Sequence, residues 1–140
     1  MYTASPSPSN VVSAMTALRQ IRERPDLRQS LWNNARALHE GLIQLGFKPL
    51  AEPSPIAAIG LADDAMAVAM WNRLLDNGVY VNLALPPGTP NGVPLLRCSV
   101  SAAHRPDQIA RVCDAFERSM AEVQAEMGAM MPSVAASSAG

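Results

Sequence analysis

A chain of 140 residues, 49% of them apolar, suits one domain around a single core, and 11 basic against 12 acidic side chains leave it at net −1. That balance, with no basic stripe carrying interleaved aromatics, excludes nucleic acid and anionic membrane as expected partners and leaves small molecules and other protein chains. No apolar run approaches the roughly 20 residues that span a bilayer, and the two cysteines, outside any CxxC or Cys/His spacing, fit neither a metal centre nor a disulfide framework and point to a reducing cytoplasm.

In chain order, Ser5-Pro6-Ser7-Pro8-Ser9-Asn10 is turn chemistry ahead of a helix from Val11 to about Arg24, with Ser9 or Asn10 as its N-cap; Pro25 ends or bends it. The next helix carries the clearest signal. Leu27, Leu31, Ala35, Leu38, Leu42 and Leu45 recur at steps of four or three, which holds them on one stripe at 3.6 residues per turn, while Arg28, Asn34, Glu40 and Gln44 lie off it. Gly46 stands where a helix C-terminus wants a positive φ, and residues 47–55 read as an extended connector punctuated by Pro49, Pro53 and Pro55. Ile56 to Leu61 is a short apolar strand. Asp63 or Asp64 caps a helix that runs to Asn77, with Ala67, Met70, Trp71, Leu74 and Leu75 on its apolar side, and Gly78 closes it.

The segment from Tyr80 to His104 reads as strand, proline-rich turn, strand. Because strand side chains alternate, Leu96, Cys98 and Val100 share one face, which can pack on helices; Leu95, Arg97, Ser99 and Ser101 share the other, which offers a cation and hydroxyls to a cleft. A guanidinium in that frame suits a carboxylate, since its planar fork makes two parallel charge-assisted hydrogen bonds and never loses its proton. The plain alternative is an arginine on a solvated sheet face or in a surface ion pair.

His104-Arg105-Pro106-Asp107 starts the last helix, with His104 as a cap and Ile109, Val112, Cys113, Phe116, Met120 and Val123 as its stripe. From Gly128 the chain turns Ala-Ser-Gly rich and is expected to fray. Trp32, Trp71 and the methionines read as core filling. The order helix, helix, strand, helix, strand, strand, helix gives an α/β architecture, a small sheet covered by helices on one face.

Pro86-Pro87-Gly88-Thr89-Pro90-Asn91-Gly92 and Leu96-Arg97-Cys98-Ser99-Val100-Ser101-Ala102-Ala103-His104 resemble the "PP-x-(T/V)-P-x-G" turn and the "L-R-x-(S/T)-(V/L)-(S/T)-A-x-H" strand of the α-oxoamine synthases, the pyridoxal-phosphate acyltransferases. Tyr2-Thr3-Ala4-Ser5 is similar to that family's "(F/Y)-(T/S)-(T/A)-S" before a long helix, and the resemblance covers residues 1 to about 125. The wording around Asn82 and Leu96-Arg97-Cys98-Ser99 lies nearest the bacterial serine palmitoyltransferase branch, with aminooxononanoate and aminoketobutyrate synthases as close alternatives.

The resemblance implies a fold and a division of the chain. Residues 1–24 would be a cofactor-proximal turn and a long linking helix, residues 25–127 the C-terminal small domain of a fold-type I pyridoxal-phosphate enzyme, and residues 128–140 a disordered tail. It also implies decarboxylative condensation of an amino acid, serine first, with an acyl-CoA in a homodimer. Arg97 would receive the amino-acid carboxylate, Asn82 and Thr89 would shape the substrate-side loop with Pro86 and Pro87, and Thr3 and Ser5 would reach the phosphate of pyridoxal phosphate in the neighbouring subunit. Two departures stand out: the turn reads Ser5-Pro6-Ser7-Pro8 where the family has "S-(L/M)-P-P", and Leu85 stands where some members carry an arginine before the double proline.

Lys48 is the lone lysine and reads as a solvated surface residue, whereas a pyridoxal-phosphate enzyme needs one for its imine. The chain therefore reads as a C-terminal fragment of such an enzyme, begun at an internal methionine and inactive by itself. The rival reading is a non-catalytic interaction or regulatory module that keeps the small-domain fold.

Overall fold

The computed structural model of the chain describes residues 6–130. Four helices and three strands follow in the order α1 (Pro8–Glu23), α2 (Pro25–Gln44), β1 (Ile56–Gly60), α3 (Asp64–Asp76), β2 (Asn82–Ala84), β3 (Leu95–Ser99) and α4 (Pro106–Met130), with a short 3-10 turn at Pro90–Gly92. This is the expected α/β arrangement, and the sheet runs β1-β3-β2 with both pairings antiparallel.

The helix boundaries follow the prolines. α1 begins earlier than the sequence predicts, because Pro8 sits in its first turn, where a missing N–H costs nothing, and the Ser7 hydroxyl accepts from the Asn10 N–H at 3.3 Å. Arg24 breaks α1 from α2 at φ −122°, ψ 64°, as the residue before a proline is pushed out of the helical region. Asp63 caps α3 by accepting from the Met66 N–H at 2.8 Å. α4 continues through Met130, past the glycine where fraying is expected.

α2, α3 and α4 cover one face of the sheet. Leu38, Leu42, Met70, Leu74, Ile109 and Phe116 meet Ala57, Ile59, Leu96 and Cys98 there, and Phe116 makes an edge-to-face contact with Phe47 at 5.4 Å between ring centres. Fully burying side chains of this size stabilises by about 1.5–3 kcal/mol each. α2 and α4 touch so closely that a Cβ on Gly41 would lie 2.5 Å from the Cys113 Sγ. α1 buries nothing: Val12, Met15, Leu18 and Ile21 all stand exposed along it.

The connector 47–55 is not free. It folds back beside β1, where Pro49 bridges Ile59 and the Leu50 N–H donates to the Ala58 carbonyl at 2.8 Å. β2 is shorter than the predicted run from Tyr80 to Leu85, and the Val81 carbonyl instead accepts from the Trp71 indole N–H at 2.9 Å. Trp71 thus does more than fill the core.

Candidate functional site

The register of the sheet decides what surrounds Arg97. It lies on the middle strand, opposite Ala58 on β1 and Asn82 on β2, and paired residues of an antiparallel ladder share a face. That face is the one without helices. Arg97, Ser99 and Asn82 are exposed there, while Cys98 and Leu96 turn the other way into the core, as the alternation predicts. Leu95 is the exception, buried apart from the core beside Gly60 and Ala84, where the 85–94 turn returns to the sheet.

Arg97 has no carboxylate within 4 Å among the described residues, so of the two plain alternatives the surface ion pair is not formed, while the exposed arginine on a sheet face is what these residues present. Beside it, the Tyr80 hydroxyl donates to the Asn82 Oδ1 at 3.2 Å. With that oxygen engaged, Asn82 has its amide N–H donors left to offer. A guanidinium and an amide donor across one strand pair, flanked by the small Ala58, form a surface complementary to a planar anion. Tyr80 is a participant the sequence reading missed, though its i, i+2 spacing from Asn82 places both on one strand face.

Thr89 lies in the turn that joins β2 to β3, at the start of the 3-10 turn, where its side chain makes no capping bond. Its Oγ1 is buried and has no hydrogen-bond partner, alone in this among the side-chain polar atoms of the described residues. Such an orphan is costly and calls for a partner. Leu85, at the place where some members of the resembled family carry arginine, packs against the core instead. Thr3 and Ser5 fall outside the described residues.

The best-formed cavity does not reach Arg97. That cavity, under α4 at the C-terminal end of β3, holds about 570 Å³, and its walls include Tyr80 and Ser99 but not Arg97. His104 is not the N-cap of α4, either. Its Nδ1 accepts from the Ser101 N–H at 3.2 Å, and the buried Asn34 donates to both the Ser101 and His104 carbonyls, at 3.0 and 2.8 Å, locking the turn after β3 to α2. Asn34 lies off the apolar stripe of α2 yet is buried; those two carbonyls are what draw its amide inward.

Lys48 is exposed, as predicted, between the buried Phe47 and the bridging Pro49. Burial pushes the Cys98 thiol up to about 11, with the nearby Cys113 adding to the effect; burial also raises Cys113, with Asp114 adding to it. Neither thiol is primed as a nucleophile. Among the described residues no group of three His, Cys, Asp or Glu side chains could hold a metal ion, and no helix is long and apolar enough to cross a membrane.

Residues 1–116 match the family described as aminotransferase class I and II. The chain is 48% identical to a serine palmitoyltransferase of Caulobacter vibrioides, over 94% of its own length and 32% of the relative's, and 47% identical to that of Sphingomonas paucimobilis, over 84% and 28%. It superposes with a TM-score of 0.82 and 45% identity on a solved S. paucimobilis serine palmitoyltransferase bound to a pyridoxal phosphate–myriocin aldimine, covering 89% of this chain and 32% of that one. The chain thus spans about a third of the length of the relatives it matches.

Proposed function

We propose, for a chain that belongs to the aminotransferase class I and II family and to its α-oxoamine synthase branch, that the whole protein condenses an amino acid, serine first, with an acyl-CoA. The α-carbon loses its proton and forms a carbon–carbon bond with the acyl carbon, the thioester C–S bond breaks and the CoA sulfur leaves with a proton, and the carboxylate departs as carbon dioxide, the electron pair it leaves on the α-carbon taking up a proton from solvent. The observation that carries the reading is Arg97, unpaired among the described residues on the uncovered sheet face beside Asn82.

In this reading the guanidinium takes the amino-acid carboxylate in a bidentate grip, the Asn82 amide donates to the same anion, and Tyr80 fixes the Asn82 side chain. Holding the α-carbon in one orientation is a positioning contribution worth several kcal/mol. The Thr89 hydroxyl, lacking a partner of its own, lines the approach of the substrate. The exposed stripe of α1 links residues 25–127, the small domain, to the rest of the protein, which supplies acyl-chain selection and the second subunit of a dimer. The compartment is the cytoplasm.

Pyridoxal phosphate, bound in the solved relative, supplies an electron sink for α-carbon chemistry. The described residues do not fit that group. An imine-forming lysine is drawn out of water to lower its pKa, whereas Lys48, the one lysine in the sequence, is exposed. Cofactor capture therefore belongs to the remainder of the protein, with Thr3 and Ser5 as the contribution of this stretch to the phosphate. The same observation favours a second reading for the 140 residues alone, a module that pairs with a lysine-bearing relative and does not turn over.

The test is Arg97→Lys in the complete enzyme. The amino-acid KM rises about tenfold or more, because a lysine cannot replace the two-pronged contact; an unchanged KM removes Arg97 from the site. For the chain alone, an imine absorbance band with pyridoxal phosphate that borohydride fixes would overturn the reading that these 140 residues do not hold the cofactor.

A further inference from the structure

We infer that the cleft between α4 and the C-terminal end of β3, which Arg97 does not line, is a second ligand site, for an aliphatic carboxylate whose chain lies against the apolar walls and whose head group meets Arg111 and Arg118. This assignment is independent of the role given to Arg97.

Three observations carry it. The cleft holds about 570 Å³, within the range of small-molecule sites. About half of its lining is apolar, with Leu38, Cys98, Ile109 and Val112 contributed by α2, β3 and α4, and the rest is polar, Asn77, Ser99, His104 and Gln108 among them, a division that suits a short hydrocarbon chain carrying a polar head. Burial keeps the Cys98 thiol protonated, so the apolar wall stays uncharged near neutral pH.

The third observation is the charge at the rim. Arg111 and Arg118 are seven residues apart on α4, two helical turns along one side, and both line the cleft. Arg118 has no carboxylate within 4 Å among the described residues, and Arg111 has only Asp107, at 3.6 Å on the exposed surface. Asp114 also lines the cleft and pairs with neither, which leaves two cations against one anion among those three side chains. Two arginines that the fold leaves under-used beside an apolar wall fit an amphiphilic anion better than a neutral or cationic ligand.

The test titrates the isotope-labelled 140-residue chain with octanoate, octanol and acetate while recording amide chemical shifts. Octanoate is expected to give saturable shifts at Val79, Ser99, Arg111 and Arg118, with octanol and acetate weaker by about tenfold, since each lacks one half of the recognition. Arg111→Gln with Arg118→Gln should weaken octanoate about tenfold with the rest of the spectrum in place, and Arg111→Lys with Arg118→Lys, which keeps the charge, should retain binding. Shifts confined to the exposed stripe of α1 around Met15 and Leu18, equal binding of octanol, unchanged binding by the glutamine variant, or equal loss in the lysine variant would each overturn the assignment.

Discussion

Arg97 and Asn82 face one another across β3 and β2, on the one face of the sheet that no helix covers, and the Tyr80 hydroxyl donates to the Asn82 Oδ1. Directly opposed strand residues have Cβ atoms about 4.5–5.5 Å apart, within reach of a side-chain contact. Asn82→Asp therefore plants a carboxylate beside Arg97 that competes with an incoming one. In the complete enzyme the amino-acid KM should rise about tenfold while the acyl-CoA KM holds, and Tyr80→Phe should give a smaller rise of about twofold. Steady-state kinetics with each substrate varied in turn decides it; equal effects on both substrates would place the pair outside carboxylate binding.

The hydroxyl of Thr89 sets stability against function. A buried oxygen without a partner costs about 1–3 kcal/mol, and valine fills similar space without the polar atom. Thr89→Val should raise the midpoint of urea unfolding of this chain, by about 1 kcal/mol once converted, while lowering kcat/KM in the complete enzyme about threefold to tenfold. A variant that is more stable and equally active would show that no substrate meets this hydroxyl.

The close approach of α2 and α4 gives a prediction with a sign change. A methyl on Gly41 would sit 2.5 Å from the Cys113 Sγ, so Gly41→Ala should destabilise by about 1–2 kcal/mol despite the better helix propensity of alanine. In a Cys113→Ala background the clash is gone and propensity remains, so the same substitution should stabilise by about 0.5–1 kcal/mol. A double-mutant cycle from urea denaturation measures the difference.

Much of this architecture was legible because periodicity encodes faces. The Leu38 and Leu42 stripe, the alternation that buries Leu96 and Cys98 and exposes Arg97, and the Asp63 cap each follow from spacing and local chemistry. What spacing does not encode is what covers a face. Neither the exposed side of α1 nor the orphaned Thr89 oxygen follows from local periodicity. Asn34 departs from the predicted face for a similar reason: its partners, the Ser101 and His104 carbonyls, lie 67 and 70 residues away.

The buried thiol of Cys98 makes stability depend on alkaline pH. In the folded chain it stays protonated until about pH 11, because burial penalises the thiolate, while in the unfolded chain it ionises near its ordinary value of 9.0. Between those values the unfolded state has released a proton that the folded state still holds, so stability is complete below pH 9 and falls as pH rises toward 11. The loss is on the order of 2 kcal/mol. Cys98→Ala removes the group and should flatten that part of the profile, lowering stability at pH 8 through lost packing yet losing less between pH 9 and 11. The measurement is urea unfolding of both proteins across that range, in which the difference between the two curves cancels titrations they share; parallel curves would mean that Cys98 ionises alike in both states.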